Sequence, residues 1–391
     1  MEIPTPVDIA LAHGRIAALA PTVSAAAVQE WDLAGRVVLP GLVDAHTHLD
    51  KSYFPMPNQS GTLLEAIDLW RAHKGSRTRA DIAKTVRQAL RTAIANGITA
   101  MRSHIDVEAN GDLATVETVL AIREEFRDQL DLQLVALGYP GGTREQRQTM
   151  RTALDLGLDL VGGAPALTAD PHVEIDACFA LAEATGKPLD LHIDETEDPQ
   201  MLSLDYLAAK TKVHGLHGRV TAGHCCSLAF VDNATIGRVL DNVASAQLNL
   251  VTLPSCNLVL MGRAIQPVPR GVAPVRAILA HEINICAASD NVHDPFNPFG
   301  NYDLLQIANL TAHVAHLTGT AEIQTVLEMV TTKAAQTLNL PNHAITVGSV
   351  ADLVVLDTTE PLHAVTTVPP RLATVKQGKM LLRTTITQTW A

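Results

Sequence analysis

Eight short apolar runs recur along the middle of the chain, at residues 41–48, 97–106, 131–138, 158–165, 188–195, 219–226, 248–257 and 283–291. Amphipathic helical patterns lie between them, the clearest at 80–95, 113–129, 144–156 and 175–185. Continuous apolar runs of this length are what strands buried on both faces look like, and parallel neighbours of that kind need helical crossovers. Eight such units in a 391-residue chain predict an α/β fold, a (β/α)8 barrel. No shorter repeat and no linker rich in Gly and Ser divides the barrel region.

Both ends of the chain read differently. Val7, Ile9 and Leu11 alternate with small or polar neighbours, His13-Gly14 makes a turn, and Ile16 and Ala18 resume the alternation. A second pattern over 31–38 leads into Leu39-Pro40-Gly41. Near the other end, 351–356 is a buried-strand run, followed by 372–375 and 380–382 with turn residues between. Each end is too short to fold alone. The expected organisation is one small β domain from 1–40 and 341–391, with the barrel at 41–340.

Catalytic groups of such a barrel lie at the C-terminal ends of its strands. The first run ends in His46-Thr47-His48, the fifth in His192-Ile193-Asp194-Glu195, the sixth in Gly223-His224 and the eighth in Ser289-Asp290-Asn291. Residues two apart on a strand share a face, so His46 and His48 both point inward. With His192 and Asp290 they make an N/N/N/O donor set that suits Zn²⁺ or Fe²⁺ and leaves a position for water. The H-x-H spacing alone says little, because 16 histidines supply about 0.65 such pairs by chance. Ligand-type residues at four of the eight strand ends carry the inference. His104, ending the second run, divides evenly between barrel-mouth structure and substrate contact, and ten other histidines read as solvated or locally bonded.

Composition narrows the partners. The charge balance is 29 basic residues against 41 acidic ones, with no basic cluster, and aromatics are only 3%. A nucleic-acid polymer needs basic tracks or stacking platforms, so none is expected. Five cysteines without a C-x-x-C spacing disfavour a disulfide framework or a thiolate zinc site and suit a reducing, cytoplasmic compartment. Met1-Glu2-Ile3-Pro4 is unlike a signal peptide, and no run reaches the roughly 18 apolar residues of a membrane span, so no membrane partner is expected.

The motif from Leu39 to Lys51, LPGLVDAHTHLDK, resembles the opening metal motif of the amidohydrolase superfamily. Gly348-Ser349-Val350-Ala351-Asp352-Leu353-Val354 resembles its C-terminal return strand. Within the superfamily the chain is similar to the cytosine deaminase branch, which includes the N-isopropylammelide hydrolases. Four further segments carry that likeness: 102–107, 192–195, 270–272 and 289–296. The resemblance implies a distorted barrel with a small β-sandwich domain built from both ends. It also implies one divalent ion per chain, zinc or iron, held by His46, His48, His192 and Asp290. Two-metal members bridge their ions with a lysine on the fourth strand; residues 158–165 contain none, so a single ion is expected. Self-association into a homo-oligomer is a further expectation from the resemblance alone.

The groups suggest a chemistry. A divalent cation lowers the pKa of bound water so that hydroxide is available near neutral pH. Asp290 is then the first proton acceptor, His224 orients the hydroxide, and Glu195 shuttles a proton to the ring nitrogen and the leaving amine. Asp194 and Asp106 are expected to partner imidazoles. The expected reaction is hydrolytic deamination at an amidine-like carbon of a small nitrogen heterocycle. Cytosine deaminases carry a glutamine after the third strand and a second aspartate after the metal aspartate. Tyr139 and Asn291 stand there instead, as candidate substrate contacts. These departures count against cytosine itself and favour a related ring. Two alternatives stay open: hydrolysis of a substituted amine or cyclic amide, and a metal-binding scaffold without catalysis.

Overall fold

A computed structural model describes residues 6–54 and 56–390; the N-terminal Met1-Glu2-Ile3-Pro4 reading lies outside them. Two strands, β1 (Asp8–Ala12) and β2 (Arg15–Ala20), form an antiparallel hairpin, and β3 (Val38–Pro40) leads into the barrel. The barrel strands follow in chain order: β4 (Leu42–Thr47), β5 (Ile98–Asp106), β6 (Asp131–Leu137), β7 (Leu160–Gly163), β8 (Leu189–Ile193), β9 (Val220–His224), β10 (Asn249–Thr252) and β11 (Ile285–Ala287). They pair in parallel in that spatial order, one strand from each of the eight apolar runs. Helices Arg79–Ala95, Ala114–Phe126, Arg144–Leu156 and Pro171–Thr185 occupy the four amphipathic patterns. Their starts are set by side-chain caps, for example Thr78 with Asp81 and Thr143 with Gln146.

The barrel closes imperfectly. Between β4 and β11 the ladder is reduced to one bridge, Thr47 to Asp290. Asp290 N–H donates to the carbonyl of His46 at 2.9 Å, and Thr47 Oγ1 donates to the carbonyl of Asp290 at 2.8 Å. The seam therefore joins the first and eighth strands at two of the expected ligand positions. This is the distortion the resemblance implies.

Three strands from the C-terminal end, β12 (Leu353–Leu356), β13 (Arg371–Lys376) and β14 (Lys379–Arg383), form an antiparallel sheet with β3. Ile16 of the hairpin packs with Ala351, Leu353 and Val375 in a separate small core, so both ends of the chain build one sheet region. Of the 31–38 pattern only Val38 is in a strand, although Val37 still donates to the carbonyl of Thr358 at 2.8 Å and accepts the N–H of Leu356 at 2.9 Å. Gly97, at φ +87°, precedes β5 where a Cβ would come within 2.5 Å of Val354 Cγ2, so the helix-to-strand turn and the sheet need its missing side chain. Lys376 ties the sheet to the barrel, its buried ammonium donating to Asp352 at 2.7 Å and to Asp131 at 2.6 Å.

The N-terminal end of the barrel is plugged. Ala334 and Ala335 of helix Thr332–Thr337, with Leu338, pack against Val43, Ala100, Val251 and Cys286. Above them Arg102 reaches across the interior from β5. Its guanidinium donates to Asp190 Oδ2 at 2.7 Å, to Gln133 Oε1 at 2.9 and 3.0 Å, and to the carbonyl of Thr337 at 3.0 Å. Both Arg102 and Asp190 are buried. Breaking such a pair from one side leaves an uncompensated charge in the core. Arg102→Met is accordingly expected to destabilise the fold by about 3–5 kcal/mol. The shift of the urea unfolding midpoint measures this, and a wild-type midpoint would contradict the role given to Arg102.

A candidate metal centre at the open end of the barrel

His46 and His48 leave β4 on the same face, and His192 comes from β8 and Asp290 from beyond β11. His48 Nε2 lies 3.1 Å from His192 Nε2 and 3.4 Å from Asp290 Oδ1, and His46 Nε2 lies 3.6 Å from that same oxygen. Ligand atoms of His46, His48 and His192 fall within 4.8 Å of one another, as do those of His46, His224 and Asp290. Among the described residues, both ring nitrogens of His46, Nδ1 of His192 and both oxygens of Asp290 are buried without a hydrogen-bond partner. Buried polar atoms are nearly always satisfied, and a convergent set of orphans is suited to holding a cation. The donor set of three imidazoles and a carboxylate fits a divalent ion.

Burial, and then the neighbouring imidazoles, push His46 well below the ordinary imidazole range. Burial does the same to His48 and His192, with Lys51 next for His48 and the neighbouring imidazoles next for His192. The rings are therefore neutral, the form that can donate a lone pair. Room for His46 depends on Gly223 of β9, where a Cβ would meet the imidazole at 3.1 Å. Gly223→Ala is expected to weaken metal binding about 10-fold, read by competition with a chromophoric chelator. Wild-type affinity in that variant would mean that His46 gives way freely.

Glu195 and His224 stand beside this set. Glu195 Oε1 is 3.4 Å from His224 Nδ1, and Asp290 Oδ2 is 4.0 Å from the same nitrogen. Burial first, and the Asp290 charge second, hold the Glu195 carboxyl well above the usual carboxylate range. Burial also raises Asp290, to about 7, and lowers His224 to about 3. Asn257 Nδ2 lies 3.1 Å from His224 Nδ1, so the Asn257 amide holds the imidazole from the side away from its Nε2. The arrangement thus presents a proton-carrying carboxyl and a neutral imidazole side by side. Asp194, His224 and Asp290 all adopt positive φ, of 52°, 68° and 58°, so the backbone holds strain where the functional groups converge.

A cavity opens onto these groups. Its wall includes His48, His192, Glu195, His224 and Asn291, with Trp70, Tyr139 and Phe296 as aromatic surfaces. Tyr139 and Asn291 both lie on that wall, and one Asn291 donor is taken by Asp294 at 2.6 Å. His104 is not on that wall. It is fully buried behind His46, their ring centres 4.1 Å apart, with Nε2 3.5 Å from Asp190.

Two expected imidazole partners do something else. Asp194 accepts the N–H groups of Ser203 and Leu204, both at 3.0 Å, because its left-handed backbone turns the carboxylate towards the start of helix Ser203–Val213. Asp106 pairs with Lys51 at 2.7 Å and accepts Trp70 Nε1–H at 2.7 Å. Sequence reasoning missed Asn257, although it ends the seventh apolar run. It also missed Lys51 and Trp70, which no strand-end position marks.

Fold and site together define a barrel hydrolase with a His/Asp cluster suited to a metal ion. The chain belongs to the amidohydrolase family, which it matches over residues 29–104 and 62–390. It is 34% identical to a pterin deaminase of Rhizobium rhizogenes over 89% of this chain and 81% of that protein. It is 30% identical to the N-isopropylammelide isopropyl amidohydrolase of a Pseudomonas species, over 96% of this chain and 93% of that one. The crystal structure of 5-methylcytosine deaminase from Klebsiella pneumoniae, liganded with phosphonocytosine, superposes with a TM-score of 0.91 at 29% identity, covering 100% of this chain and 98% of that one. The chain is an enzyme of this kind, a hydrolase of carbon–nitrogen bonds other than peptide bonds. No helix among the described residues is long and apolar enough to cross a membrane.

Proposed function

We propose that the chain is a metal-dependent deaminase of a small nitrogen heterocycle related to pterin and the aminopyrimidines. The observation that carries this reading is the buried, proton-holding carboxyl of Glu195, 3.4 Å from His224 and on the wall of the same cavity as His48 and His192. His46, His48, His192 and Asp290 would hold one zinc or iron ion. When bound, that ion supplies Lewis-acid chemistry, making water acidic enough to act as hydroxide near neutral pH.

The chain's own groups then divide the proton work. Asp290, whose oxygens carry no other hydrogen bond, takes the first proton from the attacking water. His224, held by Asn257, donates a ring N–H to the oxygen that adds to the ring carbon and orients it. Glu195 protonates the ring nitrogen next to that carbon, so negative charge does not build there as the carbon becomes tetrahedral. The carboxylate left on Glu195 then takes the proton of the added hydroxyl and passes it to the exocyclic nitrogen, which leaves as ammonia while the ring carbonyl forms; the proton held by Asp290 returns Glu195 to its acid form. Tyr139, Trp70 and Phe296 line the cavity as flat surfaces for an aromatic ring, and Asn291 offers its amide to the ring edge.

A second reading, release of a substituted amine, has the support of the N-isopropylammelide amidohydrolase relative. Ammonia assay of the metal-replete protein against aminated pyrimidines, purines, pterins and triazines tests the first reading. Ammonia from at least one ring is the expected result. Alkylamine release from N-alkylated triazines without any ammonia would favour the second, and stoichiometric metal with no turnover at all would favour a scaffold.

A further inference from the structure

His48 has a neighbour on the side of its ring away from Asp290. Lys51, in the turn after β4, places Nζ 3.1 Å from His48 Nδ1 and 2.7 Å from Asp106 Oδ1. The other Asp106 oxygen is taken by Trp70 Nε1–H. Lys51 is 5% exposed and shares the cavity wall with Glu195, His224 and Tyr139.

The hydrogen-bond inventory makes this arrangement state-dependent. A neutral imidazole carries one ring N–H, and when Nε2 gives its lone pair to a cation the hydrogen sits on Nδ1. An ammonium has three donors and no acceptor, so it cannot receive that N–H. The Lys51–His48 contact and ligation through His48 Nε2 therefore exclude each other, while the Asp106 pair is compatible with both. Ligation frees one Lys51 donor beside the cavity.

The geometry points to Lys51 as a specificity-determining substrate contact, resting on the deaminase reading above. Its ammonium, anchored by Asp106, donates to a ring carbonyl oxygen in the cavity and selects heterocycles that carry one. A purely structural ion pair would shape the wall but would not distinguish rings by that oxygen.

The test uses metal-replete wild type, Lys51→Met and Lys51→Arg on two pairs of rings. Pterin is compared with 2-aminopteridine and cytosine with 4-aminopyrimidine, the second of each pair lacking the ring carbonyl. Metal content is read on the same samples. Where an analogue turns over too slowly, its inhibition constant against the parent ring replaces kcat/KM. Lys51→Met is expected to keep wild-type metal and lose roughly 10- to 100-fold in kcat/KM on the carbonyl ring, mainly through KM. On the analogue it should differ little from wild type, and Lys51→Arg should recover part of the loss. Equal losses on both members of a pair, or metal loss in parallel with activity, would overturn the inference, leaving Lys51 to seat the wall or His48. A wild type that turns over neither parent ring in a panel otherwise active overturns it too; inactivity across the whole panel overturns the deaminase reading first.

Discussion

Glu195→Gln is expected to lower turnover by about 10²–10⁴-fold, the range for a positioned general acid–base, with metal content unchanged. Gln keeps the shape of the side chain and can still meet His224, so the cavity should persist. What it loses is the ability to give up one proton and take another. The effect should therefore fall on kcat, with KM for the ring little altered. Because the buried Glu195 carboxyl already holds its proton, a neutral amide in its place should leave the fold about as stable, which thermal unfolding checks. Near-normal kcat in the variant would remove Glu195 from the proton pathway. Lost metal would instead make it part of the ion's support.

Much of this site was legible before any coordinates, for a physical reason. Hydrophobic periodicity marks where a buried strand ends, and parallel strands of a barrel must end together. Thus His46, His48, His192 and Glu195 follow from one pattern; the structure brings His48, His192 and Glu195 to one cavity wall, with His46 fully buried against the other two imidazoles. Periodicity says less once the chain leaves the strand. Asp194 follows His192 by two residues, yet its positive φ sends it to cap a helix. His104 lies behind His46, because the nine-residue strand β5 runs two residues further, to Asp106, and leaves His104 deeper in the barrel. Trp70 reaches the cavity from helix Leu63–His73, in the long excursion between β4 and β5, where only tertiary packing decides which helical face turns inward. Asn257 needed its partner, His224, to acquire a role.

Removing the ion is expected to have an effect as large as removing Glu195. Without it, the orphaned atoms of His46, His192 and Asp290 have no partner, and water in the cavity keeps its ordinary acidity. The stripped protein should also unfold at a lower temperature, since an ion that binds only the folded chain stabilises it by mass action. The loss should be reversible. The neutral imidazoles are already gathered within 4.8 Å, so the site needs little reorganisation to reload.

Metal stoichiometry measured together with ammonia release tests this account most directly. The protein would be stripped with a chelator, then titrated with zinc or iron(II) while turnover of the best ring is followed. Activity should be lost on stripping and return linearly to a plateau at one ion per chain. Turnover that survives complete stripping, or a plateau reached only at two ions, would contradict it.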